Sequence, residues 1–193
     1  MDWVHKHAPT QFADCAPTFN RDAVLKHLNS SRSHAFLLDG PTGCGKTTVA
    51  RLMAQQIGCD MPIERNMADD NTIGDVRALL DDMAQPSLLA AEQVYILDEP
   101  QRITKSVQQL LLKALEDAPS CVTIILCTTE PHLLIEPLHA RCHRIQFRPL
   151  DEIESKRLVA RVARAEHVWF SDDADSDSSD DLVTLLRIDT GRA

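Results

Sequence analysis

Short unbroken apolar runs alternate along this chain with longer stretches whose apolar residues recur every three or four positions. "HAFLLDG" (34–40) is apolar and closes on glycine, and "CGKTTVARLMAQQIG" then runs with helical spacing to Gly58. "MPIERNM" predicts a short second strand. "TIGDVRALLDDMAQ" places Ile73, Val76, Leu79, Leu80 and Met83 on one helical stripe. "EQVYILDE" reads as a buried strand ending in two acids. "KSVQQLLLKALEDAP" is helical, with Val107, Leu110, Leu111, Ala114 and Leu115 on one face. "CVTIILCTT" is β-branched and continuous, as a parallel strand covered on both faces would be. "HRIQFRP" is a last short strand.

Strands alternating with helices predict an α/β fold, a parallel sheet flanked by helices. From "LDEIESKRLVARVARAEH" onward the pattern is helical only. We therefore expect an αβα domain over residues 1–147 and a small helical domain over 148–193, with an acidic loop at about 171–181.

Charge changes this picture little. The chain of 193 residues has a formal net charge of −9, which counts against simple coating of duplex nucleic acid. Much of that charge is local. "SDDADSDSSDD" (171–181) reads as a solvated run; without its six aspartates, 23 acids face 20 bases. No run approaches the ~20 apolar residues of a membrane span. The N-terminus lacks the layout of a secretory signal, so the expected location is the cytoplasm, or the nucleus in a eukaryote. Six cysteines without a C-x-x-C pair read as reduced thiols.

The candidate chemistry sits at the ends of the predicted strands. "GPTGCGKT" (40–47) matches G-x-x-x-x-G-K-[ST] without a gap. Gly40, Gly43 and Gly45 let the backbone curl so that its N–H groups face a phosphate chain, with Pro41, Thr42 and Cys44 between them and Thr48 opening the helix. Lys46 can reach the β and γ phosphates, and Thr47 can ligand Mg²⁺. At the tip of "VYILDE" (94–99), Asp98 suits the Mg²⁺ shell and Glu99 suits orientation of an attacking water. Lys46 and Asp98 together point to nucleoside triphosphate hydrolysis. Thr128, ending the next strand, is placed to hydrogen-bond both phosphate and water. "LHARCHR" (138–144) leaves a choice between a metal site at His139, Cys142 and His143 and a functional arginine at its centre.

With these motifs in hand, the chain resembles the AAA+ ATPase subunits of sliding-clamp loaders. The opening "WVHKHAP…F", the loop region "HAFLLDGPTGCGKTTVAR", "LLLKALEDAP" and "LCTTEPHLLIEPLHARC" follow the family's order and spacing from Trp3 to about Leu150. The resemblance implies a P-loop AAA+ domain and a helical lid. It implies Mg²⁺-dependent ATP hydrolysis in an assembly with other clamp-loader subunits, a sliding clamp and primer-template DNA, and no membrane. Arg141 takes the place of the arginine that reaches a neighbour's ATP, with Ala140 replacing a serine, and zinc is not expected. Arg192 is the candidate second sensor in the lid. Arg77, Arg102 and Lys105 are candidates for DNA phosphate contact.

Departures are also visible. Ala8 stands where the family has arginine, and Pro100 follows the catalytic acid. Only Cys59 lies between Gly58 and Asn66, where bacterial motor subunits carry a four-cysteine zinc module; this favours the small subunits of replication factor C and phage loaders. "IDTGRA" ends before a collar, as in a fragment, a truncated gene or a mobile-element remnant. Two other readings remain: a structural subunit that binds nucleotide without hydrolysing it, and another AAA+ DNA-processing ATPase.

Overall fold

The computed structural model describes residues 6–30, 35–69, 72–85 and 92–166. It divides into two units, one of residues 9–150 and one of residues 1–8 with 151–193.

The larger unit is built on five parallel strands: β1 (Ala35–Asp39), β2 (Ile63–Asn66), β3 (Gln93–Asp98), β4 (Val122–Thr128) and β5 (His143–Gln146), in the order β2-β3-β4-β1-β5. Its helices are α1 (Arg21–Ser30), α2 (Lys46–Ile57), α3 (Ile73–Ala84), α4 (Lys105–Asp117) and α5 (Glu136–Arg141). The unbroken apolar runs are the central strands. All five residues of β1 and all seven of β4 are buried, because helices cover both faces of a parallel sheet.

Successive side chains of a strand point to opposite faces, and the core divides accordingly. Phe36, Leu38, Val94, Ile96, Ile125 and Cys127 pack with Val49, Ala50 and Met53 of α2. Leu37, Tyr95, Leu97, Ile124 and Leu126 pack with Val76, Leu79 and Met83 of α3 and with Val107 and Leu111 of α4. Each fully buried Leu or Ile of this kind stabilises the fold by about 1.5–3 kcal/mol. Of the predicted stripe of α3, Val76, Leu79 and Met83 are buried and Leu80 is half-buried, whereas Ile73, at the start, is 48% exposed. It is the first helical residue after Thr72, whose hydroxyl and Asp75 form a reciprocal capping box.

The register aligns the C-terminal ends of the strands. Asp39 lies beside Thr128, Thr128's neighbour Cys127 beside Asp98, and Asp98 beside Asn66. In an open α/β sheet, ligands bind at this edge.

In the smaller unit, α6 (Glu152–Ala165) starts from Asp151, whose carboxylate accepts from the Glu154 backbone while the Glu154 side chain answers it. Glu166 is held by Lys6 at 2.7 Å and by His7. The predicted acidic loop at 171–181 lies outside the described residues.

Candidate nucleotide site

The site begins where β1 ends. Asp39 is 3% exposed. Its carboxylate accepts from Arg144 Nε and Nη2, both at 2.8 Å, and its carbonyl accepts from Phe147 N at 2.7 Å. The chain then turns at Gly40, whose N–H donates to Thr128 O at 3.2 Å. Gly40 has φ +156, and a Cβ there would lie 2.7 Å from both the Cβ and the carbonyl oxygen of Phe147. Only glycine fits this turn.

Gly43 and Gly45 also have positive φ, at 79° and 92°, so the loop curls tightly around its own lysine. Pro41, Thr42 and Gly43 are exposed at its crest, and Thr48 is half-buried on α2. Lys46 is 8% exposed and its Nζ donates to Gly40 O and Pro41 O, each at 2.8 Å. Cys44 Sγ donates to Pro41 O, and Cys44 O accepts from Thr18 Oγ1 at 3.0 Å. Burial raises the Cys44 thiol above its usual value, against the pull of Lys46.

Across the strand ends, Thr47 Oγ1 donates to Asp98 at 3.1 Å to Oδ1 and 3.3 Å to Oδ2. Desolvation raises the Asp98 carboxyl above the ordinary range, opposed by hydrogen bonds from Thr47 and Cys127. A hydroxyl and a carboxylate so paired are the hard oxygen donors that suit Mg²⁺. The positive-φ glycines, the enclosed ammonium and this pair all fit a nucleoside triphosphate with Mg²⁺.

Glu99 follows with φ 56, the sole described non-glycine residue with positive φ. Pro100 opens a short 3-10 turn, Pro100–Arg102, which folds Gln101 back under it. Gln101 Nε2 donates to Glu99 Oε2 and to Thr129 Oγ1, the latter at 3.1 Å. Thr128, fully buried, donates its hydroxyl to Gln101 Oε1 at 2.7 Å and accepts from Glu130 N at 3.1 Å. The hydroxyl of Thr128 therefore faces Gln101, while Thr129 reaches Glu99 at 3.3 Å. Sequence pattern does not single out Gln101; the available signal was a proline that turns the chain directly after the acidic pair.

"LHARCHR" does not converge on one point. His139 Nε2 bonds Pro131 O at 2.8 Å, and the His143 ring stacks on His27 with centroids 3.5 Å apart. Burial pushes the Cys142 thiol up to about 12. Arg141, at the end of α5, is half-exposed and pairs with Glu116 at 2.8 Å. Among the described residues, no three His, Cys, Asp or Glu side chains cluster as a metal would need. Arg77, Arg102 and Lys105 are all exposed. Arg192 lies outside the described residues.

The profile of the family "DNA polymerase III, delta subunit" matches residues 63–151. DNA polymerase III subunit gamma/tau of Mycobacterium tuberculosis is 28% identical over 89% of this chain and 34% of its own length. The tau subunit of Bacillus subtilis is 30% identical over 80% of this chain and 31% of its own. The chain is similar in sequence to these DNA polymerase III subunits. It spans about a third of the length of these curated relatives, which are bacterial gamma/tau proteins, although the chain has a single cysteine between Gly58 and Asn66. In structure it is similar to the RuvB Holliday junction branch migration motor of Thermotoga maritima, with TM-score 0.64 and 25% identity over 83% of this chain and 55% of that one. A gamma subunit-related protein of the same organism aligns with TM-score 0.58 and 20% identity, over 72% of this chain and 49% of that one. Both likenesses fit the AAA+ P-loop architecture. Among the described residues, no helix is long and apolar enough to cross a membrane.

Proposed function

We propose that this chain is the ATP-binding and ATP-hydrolysing module of a cytoplasmic clamp-loader subunit, active in an assembly that places a sliding clamp on primer-template DNA. The observation that carries this reading is the pairing of Thr47 with Asp98 beside the loop that encloses Lys46. Two segments distant in sequence, residues 40–47 and 98–99, bring an ammonium, a hydroxyl and two carboxylates to one edge of the sheet.

The residues divide the work. The curled backbone of 40–47 and the N-terminus of α2 would hold the phosphates. Lys46 would exchange its loop carbonyls for the β and γ oxygens. Thr47 and Asp98 would hold Mg²⁺, which when bound supplies neutralising charge at those oxygens. Glu99 would orient the attacking water. Arg141 would act on a neighbouring subunit's nucleotide, since a guanidinium is always charged and can fork onto two oxygens. Its half-exposed position at a helix end supports that role. Arg77, Arg102 and Lys105 would contact DNA phosphates. Residues 1–147 would form the nucleotide-binding domain and 148–193 the lid, with Arg192 as its sensor.

The reading is tested by clamp loading on primed DNA with the chain assembled with its partner subunits. Lys46→Ala should abolish loading and lose most ATP affinity by calorimetry. Arg141→Ala should leave the subunit's own ATP affinity intact and slow hydrolysis at the neighbouring site, by as much as ~10³-fold. Loading by Lys46→Ala at the wild-type rate would refute the proposal.

A further inference from the structure

Gln101 is a buried polar residue with no place in the expected site, yet every polar atom of its amide is used. It is 7% exposed, and a buried amide left without partners is strongly disfavoured. Its orientation follows from its partners. Thr128 Oγ1 accepts from Glu130 N and so directs its own proton to Gln101 Oε1. Nε2 must then face Glu99 Oε2 and Thr129 Oγ1. The flipped amide would set an oxygen against the carboxylate.

Glu99 needs such a hold. Left-handed backbone at a non-glycine residue is strained, and it persists only where surroundings enforce it. Pro100 fixes the next φ, and the side chain is fastened by Gln101 and Thr129 through one oxygen, Oε2. Among the described residues, Oε1 accepts no hydrogen bond. One carboxylate oxygen is thus anchored while the other is left for a water.

We propose that Gln101 is a positioning residue of the ATPase site, a clip that fastens Glu99 to the end of β4 so that displacement at Thr128 is passed to the carboxylate. This rests on the hydrolytic reading above. The clip links the residue that orients water to the strand end that faces the phosphates, through a single rigid amide plane. It acts on the rate of the chemical step and leaves nucleotide affinity alone, because its side-chain hydrogen bonds go to Glu99, Thr128 and Thr129 and not to the loop of residues 40–47.

The test is single-turnover ATP hydrolysis by the assembled complex, with ATP affinity measured in parallel. Gln101→Leu keeps the bulk and removes the donors; the rate should fall about 10–100-fold, the scale of a misplaced reacting group, with ATP affinity within about twofold of wild type. Gln101→Glu keeps the shape but sets a second carboxylate against Glu99, and should fall at least as far. In a Glu99→Gln background, Gln101→Leu should have no further effect on the residual rate. If Gln101→Leu does not fold, Gln101→Glu carries the kinetic arm. The side-chain amide protons of Gln101, followed by NMR in the full chain, should shift on Glu99→Ala and again on Thr128→Val. A merely structural glutamine would lower thermal stability and ATP affinity together and remain additive with Glu99→Gln. A wild-type complex that turns over no ATP overturns the underlying hydrolytic reading. An active wild type whose rate is matched by both Gln101 variants overturns the clip alone.

Discussion

Arg144 grips Asp39 through two parallel hydrogen bonds of 2.8 Å, joining the edge strand β5 to the residue that launches the phosphate loop. The two residues are 105 positions apart. Asp39 is buried and Arg144 is half-exposed, so the pair is only partly desolvated. Removing the arginine leaves a buried carboxylate without its partner. Arg144→Met should therefore lose about 1–3 kcal/mol, less than a fully buried pair. Urea unfolding measures this. Combining it with Asp39→Asn should recover part of the loss, because the stranded charge is gone; strictly additive losses would mean that the two do not interact.

Gly40 should not tolerate alanine. The added Cβ meets the Cβ and carbonyl of Phe147, atoms that no rotamer change can move. The unfolding midpoint should drop and ATP affinity should fall with it, because the loop is anchored at this turn. Phe147→Ala should not rescue the variant, since both close atoms are still present. Rescue by Phe147→Ala would show that ring packing, including the 4.9 Å stack on Phe19, sets the constraint.

The stacked rings of His27 and His143 predict a pH dependence. Burial, and after it the neighbouring His27 ring, holds His143 below the ordinary imidazole value. The folded state then prefers the neutral ring. As pH falls through ~6.5, the unfolded chain takes up the proton first. Stability contributed here is complete above that value and is lost as pH falls through the lowered folded value. The melting temperature of the wild type should decline more between pH 7 and 5 than that of His143→Phe, which keeps a ring against Phe36. Parallel curves would remove this pair as a source of acid sensitivity.

Much of the sheet was legible because burial on both faces writes an unbroken apolar run, as in β4. The phosphate loop was legible for a different reason: its glycines, lysine and threonine are contiguous, so spacing alone carries the chemistry. Ile73 read as part of a buried stripe because periodicity does not show where a helix overhangs its core. The Asp39–Arg144 grip, the histidine stack and the Gln101 network were not legible. Each joins segments brought together only by the sheet order, and a glutamine or histidine in sequence gives no sign of whether it is buried. The same holds for Glu99, whose identity was readable but whose left-handed backbone was not.

Glu99 is the residue on which a hydrolysing motor and a nucleotide-binding structural subunit part company. Glu99→Gln preserves the shape of the side chain and can still meet Thr129, but removes the charge that makes it a base. The most direct measurement is single-turnover hydrolysis of bound ATP by the complex assembled with this variant, beside ATP affinity by calorimetry. A motor predicts unchanged affinity and a rate lower by about 100-fold or more. Undiminished hydrolysis at this subunit's site, with affinity equal to wild type, would contradict it.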